Sequence, residues 1–477
     1  MNCLMLLLLS TGWAEELSYQ QALQQALQNN AQLSTAELDV KAAQGGVLSA
    51  RSIFDPQFTT SYGRTFATSQ QFFAGIGLVN TDFTGYSFST SLQSNLPTGT
   101  NLSMSWQTDQ NNNRFRLEND FIDSEQTNNP FSTQLSITIT QNLLEGHRIS
   151  YNLQPLREAQ QVLTITELTE REQRVQVLSD VAKAYWNLRY QTRLEALAQR
   201  AIEIAKEEKR IILAQVQQGN MAAVEADRVE VAVLQAQTNL IDMENAKFDA
   251  TEALLILLGK PAKTPLTLTS SPSPIEALVT AEDDFITSAL QGNLTLQKMR
   301  KNTTIAEQRL KDARHKYLPD LQAVARYSIS GWEDDFSEAL NEMWNFDLPG
   351  NFIGLTLNVP IANWAERGEN SQRLAELQKA RQEEQAMEQS VIQQMRSQLR
   401  IIKAAEVKTQ LALANLKLAE KNLETDRALR DAGRKIEKDV LDAIQAVRDA
   451  QNQYERVVVD YLIATIELDR LQGIESQ

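Results

Sequence analysis

Between Leu156 and Gln218 the chain runs for 63 residues without a glycine or a proline. The run is mostly Glu, Gln, Arg, Ala, Leu and Val, which favour the helix. Pro155 stands just before it, where a first helical turn tolerates proline. Gly219 and Asn220 follow it, suited to a left-handed cap and a tight turn. One helix over this span would extend about 95 Å at about 1.5 Å per residue. That is several times the usual length of a globular helix. Such a rod must bury its apolar stripe against neighbours, and the rest of the chain is read as supplying them.

The pattern occurs twice. A second helix from Met221 to Leu258 stops at Gly259, closing a hairpin with one long and one short arm. From Glu369 to Ala432 there is again no glycine or proline, Gly433 ends the run, and a shorter helix stops at Gly473. Gly219 to Gly259 and Gly433 to Gly473 each span 40 positions. "ALQNNAQL" at Ala26–Leu33 matches "ALQGNLTL" at Ala289–Leu296, and Pro56 matches Pro319 at the same offset. These correspondences predict two internal repeats.

After each proline the period changes from helical to alternating. Phe58, Thr60, Tyr62 and Phe66 share one face, as do Tyr86, Phe88, Thr90 and Leu92, then Leu102, Met104 and Trp106. Leu135, Ile137 and Ile139 follow, and the second half gives Ala323, Ala325, Tyr327 and Ile329, then Ile353, Leu355, Leu357 and Val359. The opposite faces carry Ser, Thr and Gln with few charges. Six strands of about 9–11 residues, greasy on one face and small-polar on the other, fit a transmembrane barrel. A soluble β-domain with one solvated face is the alternative. Arg64 falls on the apolar face, against the pattern. Leu96–Gly99 reads as a short turn, and the Asn/Asp-rich residues 107–130 and the segment 331–350 read as long outer loops.

The helix before each strand segment has about 24 residues and each short arm about 38; placed end to end they match the long arm. Each half then supplies one continuous and one split strut. Ala443, Ala446, Ala450, Tyr454, Val457, Tyr461, Ala464, Leu468 and Leu471 recur at coiled-coil spacing. Four struts and six strands cannot enclose a wide tube, so a channel built from this chain requires several copies.

The net charge of −15 argues against nucleic acid or an anionic membrane surface as a partner. No apolar segment reaches the about 18 residues of a membrane-spanning helix. Leu4–Leu9, followed by Gly12-Trp13-Ala14, reads as a signal peptide ending at Ala14, although no Lys or Arg precedes the apolar run. A buried N-terminal helix is the alternative. The lone cysteine, Cys3, lies inside this segment, which leaves the mature chain without disulfides. No catalytic constellation is present: His147 and His315 have no ligand spacing, and GxSxG, Walker and GxGxxG motifs are missing. No metal or cofactor is expected. The resulting division is a signal peptide over 1–14 and a first repeat over 15–259, with a helix at 17–54, barrel strands within 57–141 and a helical hairpin at 152–258. A linker at 260–281, either disordered or carrying a short strand at Leu266–Leu268, precedes a second repeat over 282–473. That repeat holds a helix at 282–318, strands within 321–360 and a hairpin at 363–472, before a tail at 474–477.

The duplicated openings, the prolines before the strands, "ITQNLLEG" and "LNVPIAN" at the strand-to-rod transitions, and "GRKIEKDVLDA" at Gly433–Ala443 resemble the TolC-type outer-membrane channel family. The resemblance implies a mixed α+β membrane protein: a long α-helical barrel of coiled-coil hairpins joined to a transmembrane antiparallel β-barrel, as a homotrimer. It implies an exit duct for efflux or type I secretion, with the barrel in outer-membrane lipid and the tunnel in the periplasm. Partners would be a periplasmic adaptor and an inner-membrane pump. Gly219, Asn220, Gly433 and Arg434 match the tip turns that meet the adaptor. Asp439 and Asp442 match acidic residues ringing the closed aperture, although spacing alone favours two carboxylates that simply complement a helix N-terminus. Glu225 and Lys435 match a gate latch, and Arg430 replaces a tyrosine, so that a Glu225–Arg430 ion pair is expected. The family commonly has four strands per chain. The extra strands here point to eighteen in the barrel, or else to a hairpin outside a twelve-strand one. A non-conducting cell-surface coiled-coil scaffold or adhesin is the competing function.

Overall fold

The computed structural model describes residues 15–73, 77–118, 125–128, 130–219, 221–262, 264–272, 281–432 and 434–475. The expected signal peptide and the last two residues of the tail lie outside the described residues. In chain order the elements are β1 (Glu15–Leu17), α1 (Tyr19–Asn29), α2 (Ala31–Arg51), a 3-10 turn, β2 (Gln57–Phe73), β3 (Gly77–Asn95), β4 (Thr100–Glu118), β5 (Glu125–Asn128) and β6 (Phe131–Asn142). Then come α3 (Ile149–Asn152), α4 (Gln154–Gln217), α5 (Ala223–Leu257), β7 (Leu266–Leu268), α6 (Glu282–Gly292) and α7 (Leu294–His315). The chain ends with β8 (Asp320–Glu333), α8 (Phe336–Trp344), β9 (Leu348–Asn358), α9 (Trp364–Asp431) and α10 (Glu437–Leu471). It divides into a helical unit, Met1–Lys41 with Ile165–Lys301 and Gln382–Gln477, and a sheet-bearing unit, Ala42–Thr164 with Asn302–Arg381.

The breaker-free runs are single helices of 64 residues (α4) and 68 residues (α9). In the helical unit, α4 buries Val177, Leu178, Val181, Ala182 and Tyr185 against α1 and the end of α5. The Tyr185 hydroxyl donates to the Leu17 carbonyl at 3.1 Å and accepts from the Ser270 backbone at 3.2 Å. Those contacts seat β1 and β7, which pair in parallel. A second core places Val391, Met395, Leu399 and Ile402 of α9 against Leu468 and Leu471 of α10. Among the described residues no helix is long and apolar enough to cross a membrane.

The split struts meet at asparagines. Asn30 ends α1, and its side-chain oxygen accepts from the Gln32 and Leu33 backbone at 2.9 and 3.3 Å, capping α2. Its amide donates to the Leu257 carbonyl at the end of α5, at 2.9 Å. Asn293 does the same between α6 and α7, accepting from Leu296 at 3.0 Å and donating to the Leu471 carbonyl of α10 at 3.0 Å. Gly259 and Gly473, at φ +67° and +69°, close α5 and α10. In each case the next residue's N–H reaches five positions back, Lys260 to Leu255 and Ile474 to Asp469.

The sheet-bearing unit holds one antiparallel sheet in the order β2-β3-β4-β6-β8-β9, with β5 paired to β4 off that path. The additional β3 and β4 therefore lie within the sheet. Cross-strand register aligns the apolar residues into rows: Phe58 faces Leu92, Leu92 faces Met104, Met104 faces Ile137, Ile137 faces Tyr327. Phe58, Tyr62 and Phe66 are each about 70 % exposed and Ile353 is 88 % exposed. On the other face Thr59, Ser91, Ser105, Ser136 and Ser328 form a row of small hydroxyls. Arg64 pairs directly across from Tyr86, and its guanidinium lies over that ring at 5.5 Å, which gives the charge a partner on a greasy face.

Two features of this unit differ from the sequence expectation. β2, β3 and β4 run for 17, 19 and 19 residues instead of about ten. Their alternation continues past the apolar rows in polar residues that still pair, as where the Thr68 hydroxyl donates to Asp82 at 2.9 Å. The segment 331–350, expected as a loop, contains α8. Its Ala339 and Met343 are buried, and the Thr133 hydroxyl lies 3.8 Å from the Met343 sulfur. Thr133 also accepts from the Trp106 indole at 3.0 Å. The helix thus covers one end of the apolar face. Gly331 permits this, because a Cβ there would collide with the Ala339 carbonyl.

Candidate functional site

The residues singled out by sequence gather at the free ends of the two hairpins, in the helical unit. Gly219 adopts φ +77° and its N–H donates to the Val216 carbonyl at 3.0 Å, ending α4. No atom lies within 4 Å of where its Cβ would be, so conformation rather than crowding demands glycine here. Asn220 and Gly433, the remaining tip-turn positions, lie outside the described residues. Arg434 donates its backbone N–H to the Leu429 carbonyl at 2.9 Å, closing α9 with the same five-back bond seen at the opposite hairpin ends.

The charged groups are distributed differently from the expectation. Arg430 pairs with Glu208 of α4 at 3.1 Å, and Arg427 approaches the same carboxylate at 4.0 Å. Glu208 is buried, with its side chain 6 % exposed. Glu225, in the first turn of α5, instead accepts from Arg228 at 2.7 Å. The expected direct Glu225–Arg430 pair is therefore replaced by two separate pairs. Arg430 lies one helical turn beyond Arg427, and both can reach Glu208, whereas Glu225 is engaged within its own helix. Lys435 reaches back to Asp426 of α9 at 2.5 Å.

Asp439 and Asp442 lie in the first two turns of α10, which starts after Ile436 without a side-chain cap. Neither makes an ion pair among the described residues. Val440 between them is fully buried, while Asp439 is half-buried and Asp442 exposed. The buried valine fixes which face of α10 packs inward and leaves both carboxylates off that face. Two carboxylates at a helix start are favoured by its dipole. Val224 and Ile436, one at each tip, are 53 % and 63 % exposed.

Sequence reasoning missed Glu208, Arg228 and Asp426. Glu208 stands in "KEEKR", a charge run that reads as a solvated face. Its neighbour Glu207 follows that pattern and pairs with Arg210 on the surface at 2.6 Å. Only the phase of α4 against α9 separates the two glutamates.

The long hairpins, the antiparallel sheet with an exposed apolar face and the paired charges at the tips define a channel-type membrane protein. Residues 22–260 and 285–473 match the model of the outer membrane efflux protein family. The chain belongs to that family, in agreement with the resemblance to TolC-type channels. It is an outer-membrane channel protein and not an enzyme. No curated protein matches it in sequence. Among solved structures, that of CusC superposes with a TM-score of 0.70 at 14 % identity, covering 96 % of this chain and 92 % of that one. The CmeC outer membrane channel of Campylobacter jejuni gives 0.68 at 15 % identity, covering 96 % and 87 %. The outer membrane protein VceC of Vibrio cholerae gives 0.67 at 13 % identity, covering 96 % and 97 %.

Proposed function

We propose that three copies of this chain form the exit duct of a tripartite efflux pump or type I secretion system, conducting cargo passively and gated at the helical tips. The observation that carries the reading is the open sheet. Six strands in up-and-down order leave β2 and β9 each paired on one side only among the described residues. An open edge cannot stand in lipid, where every backbone donor and acceptor needs a partner. With an even strand number, β9 of one copy meets β2 of the next antiparallel. Three copies then close eighteen strands. The matched roles of Asn30 and Asn293 support two internal repeats.

At the tips, Asp439 and Asp442 from each copy would form an acidic ring that attracts cations. Arg430 with Glu208, Lys435 with Asp426, and Glu225 with Arg228 would hold the closed state. The Gly219-Asn220 and Gly433-Arg434 turns, with exposed Val224 and Ile436, would meet a periplasmic adaptor, and through it an inner-membrane pump. The test is a cysteine pair placed on β2 and β9. Cross-linking should give dimers and trimers that conduct in a planar bilayer; a chain that stays monomeric, or an assembly without conductance, would remove the reading.

A further inference from the structure

Within the sheet-bearing unit, β6 and β8 are paired neighbours, and the segments that follow β6 and precede β8 enclose a cavity of about 300 Å³. Its lining is strongly basic: Arg148, Arg157, Lys311, Arg314 and His315, with Asp312 as the single acid. Two of the lining groups carry buried nitrogens with no hydrogen-bond partner among the described residues, Nε of Arg157 and Nε2 of His315, and the imidazole nitrogen donates in the tautomer protonated there. His315 is only 8 % exposed. Leaving such groups unsatisfied is costly, which marks the cavity as shaped for a ligand with acceptor oxygens.

The surrounding charges point the same way. Arg157 is oriented by Asp312, to which it donates at 2.8 Å, and among the described residues this is the only ion pair inside the cavity. Adjacent cations outside it are matched: Lys316 pairs with Glu369 at 3.0 Å and Arg309 with Glu158 at 3.0 Å. Arg148, Lys311 and Arg314 make no ion pair among the described residues. A helix C-terminus favours cations in its last turn, which accounts for Arg314. It does not account for Arg148 and Arg157, which come from other elements and converge on the same space. The two histidines, distant in sequence, meet here with ring centroids 5.4 Å apart and ring planes tilted by 54°, and the Tyr151 ring lies 4.9 Å from His315. Burial, then the charge of Arg148 and of His147, holds the His315 imidazole below its usual range. An anion in the cavity would relieve that repulsion.

The position identifies the anion. β8 begins at Asp320, five residues after His315, and β6 ends at Asn142, six residues before Arg148. In an outer-membrane channel whose helices lie in the periplasm, this end of the sheet faces the periplasmic leaflet. Leu143, Ile149, Tyr317 and Leu318, all exposed, flank the cavity and supply apolar surface beside it. We propose that the cavity binds the phosphate of an anionic phospholipid headgroup in the periplasmic leaflet. Nε of Arg157 and Nε2 of His315 donate to the non-bridging oxygens, and Arg148, Lys311 and Arg314 neutralise the charge at the mouth.

The test uses the full chain, purified in dodecyl maltoside and titrated with dioctanoyl-phosphatidylglycerol, dioctanoylglycerol or sodium phosphate, with adducts counted by native mass spectrometry. One phosphatidylglycerol per chain is expected, and none of the phosphate-free dioctanoylglycerol. Arg157→Leu should weaken phosphatidylglycerol binding at least tenfold. The double variant Lys311→Gln/Arg314→Gln, confined to exposed side chains, should do the same without disturbing the fold. Unchanged binding in both variants would overturn the proposal, as would equal uptake of dioctanoylglycerol. Binding of inorganic phosphate without lipid would overturn it in favour of a free anion. A wild-type chain taking up neither would show the cavity closed by a neighbouring copy, and would overturn it as well.

Discussion

Arg430 of α9 holds the buried carboxylate of Glu208 of α4 at 3.1 Å, so the far ends of the two long helices are tied by a charge pair. Removing the arginine leaves a carboxylate that is 6 % exposed with, among the described residues, Arg427 at 4.0 Å as its remaining cation. Breaking a buried pair from one side costs about 3 kcal/mol. Arg430→Ala is therefore expected to raise hydrogen exchange across residues 205–215 and to raise single-channel conductance. Glu208→Gln removes the charge together with its need for a partner, and its exchange should rise less. Equal effects of the two substitutions would show that the pair is not what holds these ends together.

Asp439 and Asp442 provide a separate electrical test of the proposed aperture. Neither makes an ion pair among the described residues, so in the proposed ring their charge would be available to passing ions. Asp439→Asn combined with Asp442→Asn should shift the reversal potential in a salt gradient toward equal cation and anion permeability, while leaving the tip pairs intact. Selectivity that survives the double substitution would return these aspartates to the plain role of complementing the start of α10.

The features legible in the sequence were those set by local physics. Breaker-free runs marked α4 and α9, and period-two alternation marked the apolar rows of β2 to β9. Pairing phase was not legible. Glu207 and Glu208 are chemically identical neighbours, and only tertiary contact makes one exposed and the other buried. The same applies to His147 and His315, which carry no ligand spacing yet meet in tilted ring contact because β6 and β8 pair. α8 was hidden in an acidic, Trp-containing segment whose polar residues read as a loop, although Ala339 and Met343 give it a buried stripe.

Asn30 and Asn293 occupy matching junctions but differ in burial, Asn30 being 6 % exposed and Asn293 half-buried. Alanine at either position removes a helix cap and leaves a helix-end carbonyl without its donor. The expected loss is about 2 kcal/mol for Asn30→Ala and about 1 kcal/mol for Asn293→Ala, read as lowered thermal midpoints of the detergent-solubilised protein. A larger loss at Asn293 would contradict the order that burial sets.

Gly331 tests whether α8 is docked. A methyl group there would collide with the Ala339 carbonyl, which is backbone and cannot rotate away. Gly331→Ala should displace α8 from β6 and β8 and open residues 336–344 to hydrogen exchange, with β2 and β3 unaffected. Met343→Ala, which empties a buried site without a clash, should weaken the same docking by about 2–3 kcal/mol. Unchanged protection of 336–344 in both variants would mean that α8 is held by other contacts.

Glu467 of α10 ties that helix to α4 through Lys183 at 2.6 Å and is braced by Arg470 at 2.5 Å. Burial raises the cost of its charge, but Arg470 and then Lys183 outweigh it and hold the carboxyl below the usual glutamate range. A depressed carboxylate stabilises the fold above its unfolded pKa, about 4.3, and loses that contribution as pH falls through the lower folded value. Glu467→Gln should therefore lower stability by about 1 kcal/mol at pH 7. The gap to the parent protein should close as the pH falls below about 4. The comparison is a pair of thermal melts across pH 3 to 7. A gap that stays constant over that range would mean the glutamate acts through packing rather than charge.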